Sequence, residues 1–140
     1  IIISFDVHSH VYKDKLNELP FWFENTLKIL DNNTIKSTFF FPTECAELFP
    51  NDVRMIQDEG HEIGCHSLTH LPNEQYDILS FDSQKIKLIE SKKRTEEITN
   101  KEIVSSSKGC SEGYCCCVLI GSFVILVIFR RHNYKFKQIN

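Results

Sequence analysis

The sequence has no excess of basic charge, no set of cysteines spaced for pairing and, over residues 1–104, no long uncharged run. Sixteen Lys and Arg against nineteen Asp and Glu leave a formal net charge of −3. That excludes the basic face a nucleic-acid backbone requires, so no nucleic-acid partner is expected. Four of the six cysteines, Cys110, Cys115, Cys116 and Cys117, crowd together near the C-terminus. Adjacent cysteines cannot pair with each other at ordinary disulfide geometry, and their spacing matches no zinc knuckle. Neither a disulfide framework nor a C-terminal metal site is expected, and the redox compartment stays open. No internal repeat is found. The chain opens on Ile1-Ile2-Ile3 rather than methionine, as a fragment or a processed product would. No charged leader with an apolar segment and cleavage site precedes the first strand, so no signal peptide is expected. At 140 residues, one modest domain is the expectation.

What is present divides in two. Residues 1–104 mix charge and apolar periodicity as a globular domain does, whereas 105–140 run from a Ser/Gly/Cys stretch into an apolar block and a basic end. The apolar segment 115–129 carries no charge and is followed by Arg130, Arg131, Lys135 and Lys137. It is short of the roughly 20 residues a membrane span needs. Three readings of this tail stand side by side: a membrane segment with a cytoplasmic basic flank, a buried strand or helix finishing the domain, and a divergent tail from a frameshift or truncation. Association with a membrane is therefore an expectation of the first reading alone; compartment and oligomeric state are not legible.

Within residues 1–104, apolar β-branched and aromatic runs alternate with helical patterns. Residues 1–7 and Lys36–Phe41 suit buried strands, the second stopped by Pro42. A polar turn is expected at Tyr12-Lys13-Asp14-Lys15. From Leu19 to Leu30, Phe23, Leu27 and Leu30 form one helical stripe, which Trp22 widens, and Pro20 fits the first turn. A short helix over Thr43–Leu48 follows, then one capped by Asn51 and running through Val53, Met55 and Ile56 to Gly60. His61–His66 reads as a third strand. A long charged helix starts at Ser80 or Asp82 with Ile86, Ile89 and Ile98 on its inner side, and Ile103-Val104 begins a fourth strand. Alternation of this kind predicts parallel β/α units, with chemistry at the carboxyl ends of the strands.

Two clusters of polar residues fall at those ends. His66-Ser67-Leu68-Thr69-His70 sets two imidazoles four residues apart, able to converge on one cation if the strand runs into a helical turn. Such pairs also arise by chance on surfaces. In Phe5-Asp6-Val7-His8 the alternation of a strand puts Asp6 and His8 on one face and Val7 in the opposite layer. By itself that run reads as readily as a loop cap with an exposed histidine.

Residues 58–70, Asp-Glu-Gly-His-Glu-Ile-Gly-Cys-His-Ser-Leu-Thr-His, resemble the second motif of the polysaccharide deacetylase family (the NodB-homology domain), G-H-E-I-G-x-H-S/T-x-x-H, at every fixed position. Ser4-Phe5-Asp6 resembles its first motif, a strand ending T-F-D-D-G. The resemblance covers residues 1–104 and implies the fold: an α/β chain forming the truncated N-terminal part of a deformed (β/α) barrel, with a divergent hydrophobic tail over 105–140. It further implies that His66 and His70 bind a divalent metal, most often Zn2+ with Co2+ or Ni2+ as alternatives, and that Asp6 is the general base. The family's metal-binding aspartate normally follows that base, and here Val7 stands there. In branches reading F-D-x-D or F-D-x-E the carboxylate comes one residue later, so His8 is the expected third ligand. Gly60 and Gly64 are expected at a tight helix exit and a close backbone approach. His61, Glu62, Cys65 and Cys45 are expected to be structural, and Phe39-Phe40-Phe41 to be core.

The implied activity is hydrolysis of the acetamide of N-acetylated amino sugars in a polymer, or of a related small amide. The family's third motif, R-x-P-Y/F, should follow the strand at Ile103-Val104, but Ser105-Ser106-Ser107-Lys108-Gly109-Cys110 stands there and no Arg-x-Pro occurs downstream. The alternatives are accordingly a catalytically inactive relic and a membrane-anchored binding module that retains the metal motif.

Overall fold

The computed structural model describes residues 3–7, 16–69, 71, 78–107, 117–120 and 123–126. The polar turn expected at 12–15, His8, His70, Cys110, Cys115 and Cys116 lie outside the described residues. Strands β1 (Ser4–Asp6), β2 (Thr38–Phe41) and β3 (Glu62–Cys65) form a parallel sheet in the order β1-β2-β3. Between them come helix α1 (Leu19–Asn32), then helices α2 (Thr43–Leu48) and α3 (Pro50–Asp58); α4 (Phe81–Thr99) follows β3. After α4 the chain returns beside β3. Cys65 N–H donates to the Ser105 carbonyl and Ser107 N–H to the Cys65 carbonyl, giving a parallel bridge between Cys65 and Ser106. The fourth strand foreseen at Ile103-Val104 thus makes its pairing over 105–107.

The register fixes two faces. Phe5, Phe39 and Ile63 are aligned across the sheet, as are Asp6, Phe40 and Gly64. The first row, with Val7, Phe41 and Cys65, joins the buried cluster under the helices. The second row lies on the opposite face. The alternation foreseen for Asp6 and Val7 holds, and Cys65 and Cys45 are core residues. Helix α1 contributes Leu19, Phe23, Leu27 and Leu30 to the cluster, each burial stabilising by about 1.5–3 kcal/mol. The apolar stripe alone explains why this segment is a helix lying on the sheet.

Two helix expectations need correction. Asn51 does not cap α3. Pro50 occupies the first turn with Phe49 as its cap, and the Asn51 side chain instead accepts from Arg54 Nη2 at 2.8 Å. Nor do Ile86 and Ile89 face inward: they are 64% and 54% exposed, and the buried side of α4 is Ser91, Thr95 and Thr99. Ile98 alone of the three packs against the core. Small hydroxyl side chains let α4 approach closely, and each finds a partner: Ser91 Oγ lies 2.9 Å from Thr43 Oγ1, and Thr99 Oγ1 donates to the Thr95 carbonyl. Ser80 is the cap, accepting from Ser83 N–H.

In the tail, β4 (Cys117–Ile120) and β5 (Phe123–Leu126) pair antiparallel. Among the described residues no helix is long and apolar enough to cross a membrane.

At the amino ends of the strands, His61 Nδ1 accepts from Ser37 N–H at 3.1 Å, its ring meets Phe39 edge-on, and Glu62 accepts from the Thr38 hydroxyl. These are the structural roles expected of both residues. Burial first, and Lys36 second, hold the His61 imidazole below its ordinary value of 6.5. Protonating Nδ1 would set a donor against the Ser37 donor. The unfolded chain therefore takes up this proton at higher pH than the fold does, and between the two values stability falls as pH falls. The urea midpoint is expected to drop as the pH is lowered through about 6.5, and His61→Gln to flatten that slope. Equal slopes in both proteins would remove His61 as the cause.

Candidate active site

The carboxyl ends of β1 and β3 and the returning segment at 105–107 converge on the face opposite the helices. Asp6 ends β1 and is 5% exposed; His66 follows β3 and is fully buried. His66 N–H donates to the Phe41 carbonyl at 2.8 Å and Val7 N–H to the Phe40 carbonyl at 2.9 Å, so both residues are held by continuation of the parallel ladder. Between their side chains stands Ser107. Its hydroxyl donates to Asp6 Oδ1 at 3.3 Å, and His66 Nδ1 lies 2.6 Å from the same Oγ. Three buried residues from three chain segments thus form one hydrogen-bonded chain.

Directions within that chain follow from what each group can offer. A carboxylate has only lone pairs, and a hydroxyl has one hydrogen. With that hydrogen turned to Asp6, Ser107 Oγ would meet the ring as an acceptor, a bond that requires the imidazole proton on Nδ1. The ring's in-plane lone pair is then on Nε2, which is the protonation state of a metal-ligating imidazole whose other nitrogen is fixed by a hydrogen bond. In that state the His66 ring fits a cation, with the Asp6 carboxylate beside it. Among the described residues no group of three His, Cys, Asp or Glu side chains gathers as one; of the four residues foreseen, Asp6 and His66 are brought together, and His8 and His70 lie outside the description.

The loop after His66 is shaped by its own backbone. Ser67 has φ +67, a left-handed conformation uncommon for a residue with a Cβ. Its carbonyl accepts from Thr43 N–H at 3.2 Å and from Ser91 Oγ at 3.1 Å; its hydroxyl donates to the His66 carbonyl. Thr69 Oγ1 accepts from Leu71 N–H at 3.3 Å. Ser67 and Thr69 therefore hold the histidine loop, and Thr43 and Ser91 anchor the turn from α2 and α4. No local pattern marks Thr43, Ser91 or Ser107, because each acts through partners at least 24 residues away.

A curated peptidoglycan-N-acetylglucosamine deacetylase of Bacillus cereus is 41% identical over 81 residues, 56% of this chain and 27% of that protein. The structure resembles a family 4 carbohydrate esterase pseudoenzyme of Bacillus anthracis with a TM-score of 0.61 at 25% identity, covering 75% of this chain and 33% of that one. It resembles an esterase of the same family from Bacillus anthracis with a TM-score of 0.54 at 20% identity, over 74% of this chain and 44% of that one. The chain thus spans about a quarter to under a half of the length of the relatives it matches. The family model described as polysaccharide deacetylase matches residues 1–108, reaching past Ser107, and this chain belongs to the polysaccharide deacetylase family.

Proposed function

We propose that this chain supplies the metal cradle and general base of a hydrolase that removes acetyl groups from N-acetylated amino sugars in a polymer. The observation that carries the reading is the Asp6–Ser107–His66 chain, which sets a carboxylate beside an imidazole prepared for ligation. His66, with His70 and His8, would hold a divalent cation, Zn2+ foremost. Such a cation acidifies water and draws charge onto the acyl oxygen as the amide is attacked. Asp6 accepts the proton of the attacking water. Burial of Asp6 and His66 keeps bulk solvent from competing for either side chain.

Equilibrium dialysis of the whole chain against zinc, paired with acetate release from acetylated chito-oligomers, tests this. One equivalent of zinc is expected, with affinity falling by more than about 100-fold in His66→Ala, since removing a ligand costs more than removing its hydrogen-bond partner. Absence of zinc binding by the unaltered chain would sink the reading. A second reading, a catalytically silent domain, is favoured by Val7. It occupies the position where the first motif commonly keeps a carboxylate, and it is 1% exposed in the core. Stoichiometric zinc without acetate release selects it.

A further inference from the structure

We propose that Ser107 is the positioning residue of this site, its hydroxyl tying the Asp6 carboxylate to the His66 imidazole and fixing the ring with its proton on Nδ1. Ser107 stands at the end of the segment that pairs with β3, where its N–H is already committed to the Cys65 carbonyl at 2.9 Å. The backbone therefore sets where the hydroxyl lies. The side chain is 5% exposed, and water has little access to replace either bond. A neutral imidazole in solution exchanges its proton between the two nitrogens; here the Nδ1–H form has an acceptor at 2.6 Å. That acceptor is itself polarised by a carboxylate, which strengthens the bond it receives. One side chain thereby sets two things, the orientation of the ring and the placement of the Asp6 oxygen relative to it. The consequence for cation binding rests on the reading of His66 as a ligand. The tautomer does not.

Ring-nitrogen NMR of the whole metal-free chain, at a pH where the imidazoles are neutral, tests the proposal directly, with the His66 signals identified by their loss in His66→Gln. The unaltered protein is expected to show His66 as the Nδ1–H tautomer. Ser107→Ala is expected to move it toward Nε2–H and to weaken zinc binding by about 10–100-fold, whereas Ser107→Thr, which keeps a hydroxyl on the same backbone, restores both. An Nε2–H signal in the unaltered protein overturns the proposal whether or not Ser107→Ala folds. So does an Nδ1–H signal that survives the loss of the hydroxyl. If the tautomer responds as expected while the unaltered chain binds no zinc, the positioning role stands and the metal reading fails.

Discussion

Asp6→Asn is expected to lower acetate release by about 10²–10⁴-fold, the range general-base catalysis contributes, while leaving zinc stoichiometry unchanged. Asparagine matches the carboxylate in shape, and its carbonyl can still accept the Ser107 hydrogen that now reaches Asp6 Oδ1 at 3.3 Å. The positioning of His66 should therefore survive. What is lost is the capacity to take a proton, because an amide oxygen is a far weaker base than a carboxylate. The informative comparison is with His66→Ala, which is expected to lose metal and turnover together. Activity and zinc affinity measured on the same preparations separate the two roles. Unchanged activity in Asp6→Asn would show that another group is the base, and parallel loss of zinc would show that Asp6 belongs to the cation's own coordination sphere.

Gly64→Ala is expected to destabilise the fold by about 3 kcal/mol, the upper end of what overpacking costs. A Cβ at this position would sit 2.5 Å from Cδ1 and Cε1 of Phe40 and 2.8 Å from Ser105 Oγ. None of these atoms has an easy retreat. Phe40 is 4% exposed and lies in register between Asp6 and Gly64, so tilting its ring away from position 64 drives it toward Asp6. Ser105 is held by the bond between its carbonyl and Cys65 N–H at 3.1 Å. Phe40→Leu alone is expected to destabilise by creating space, but combined with Gly64→Ala it should recover part of the loss. A favourable coupling of about 0.5–3 kcal/mol is expected from urea titrations of the four proteins, as for residues in contact. Strict additivity would mean that the ring does not contact position 64 in solution.

The motif over residues 58–70 was legible because its parts are local. Gly60 leaves α3 with φ +86, Gly64 gives the Phe40 ring its seat, and alternation alone puts Cys65 in the core and His66 on the other face. Helix α1 was legible for the same reason, as its stripe repeats at the helical period and Pro20 marks its start. In helix α4 apolar periodicity does not mark the buried side, because the surface it packs on sets the size of the residues that fit. Its isoleucines are the larger apolar groups, yet a seam against Thr43 and Cys65 has room only for Ser91 and Thr95, and Cys65 Sγ lies 3.7 Å from Thr95 Oγ1. The segment at 105–107 lacks the arginine and proline of the third motif, and nothing local marks Ser107, which reaches both Asp6 and His66.

The amino-acid order by itself determined which residues are candidates for the chemistry, since a strand ending in Asp6 and the two imidazoles of the 58–70 motif need only neighbouring positions to be recognised. It also determined the alternating β/α plan, because strand and helix periods are written into single segments. Only the tertiary structure decided that Asp6 and His66 share one buried serine. Ser107 is 41 residues from His66 and 101 from Asp6, and no local pattern encodes a contact that forms only when three parallel segments are laid side by side.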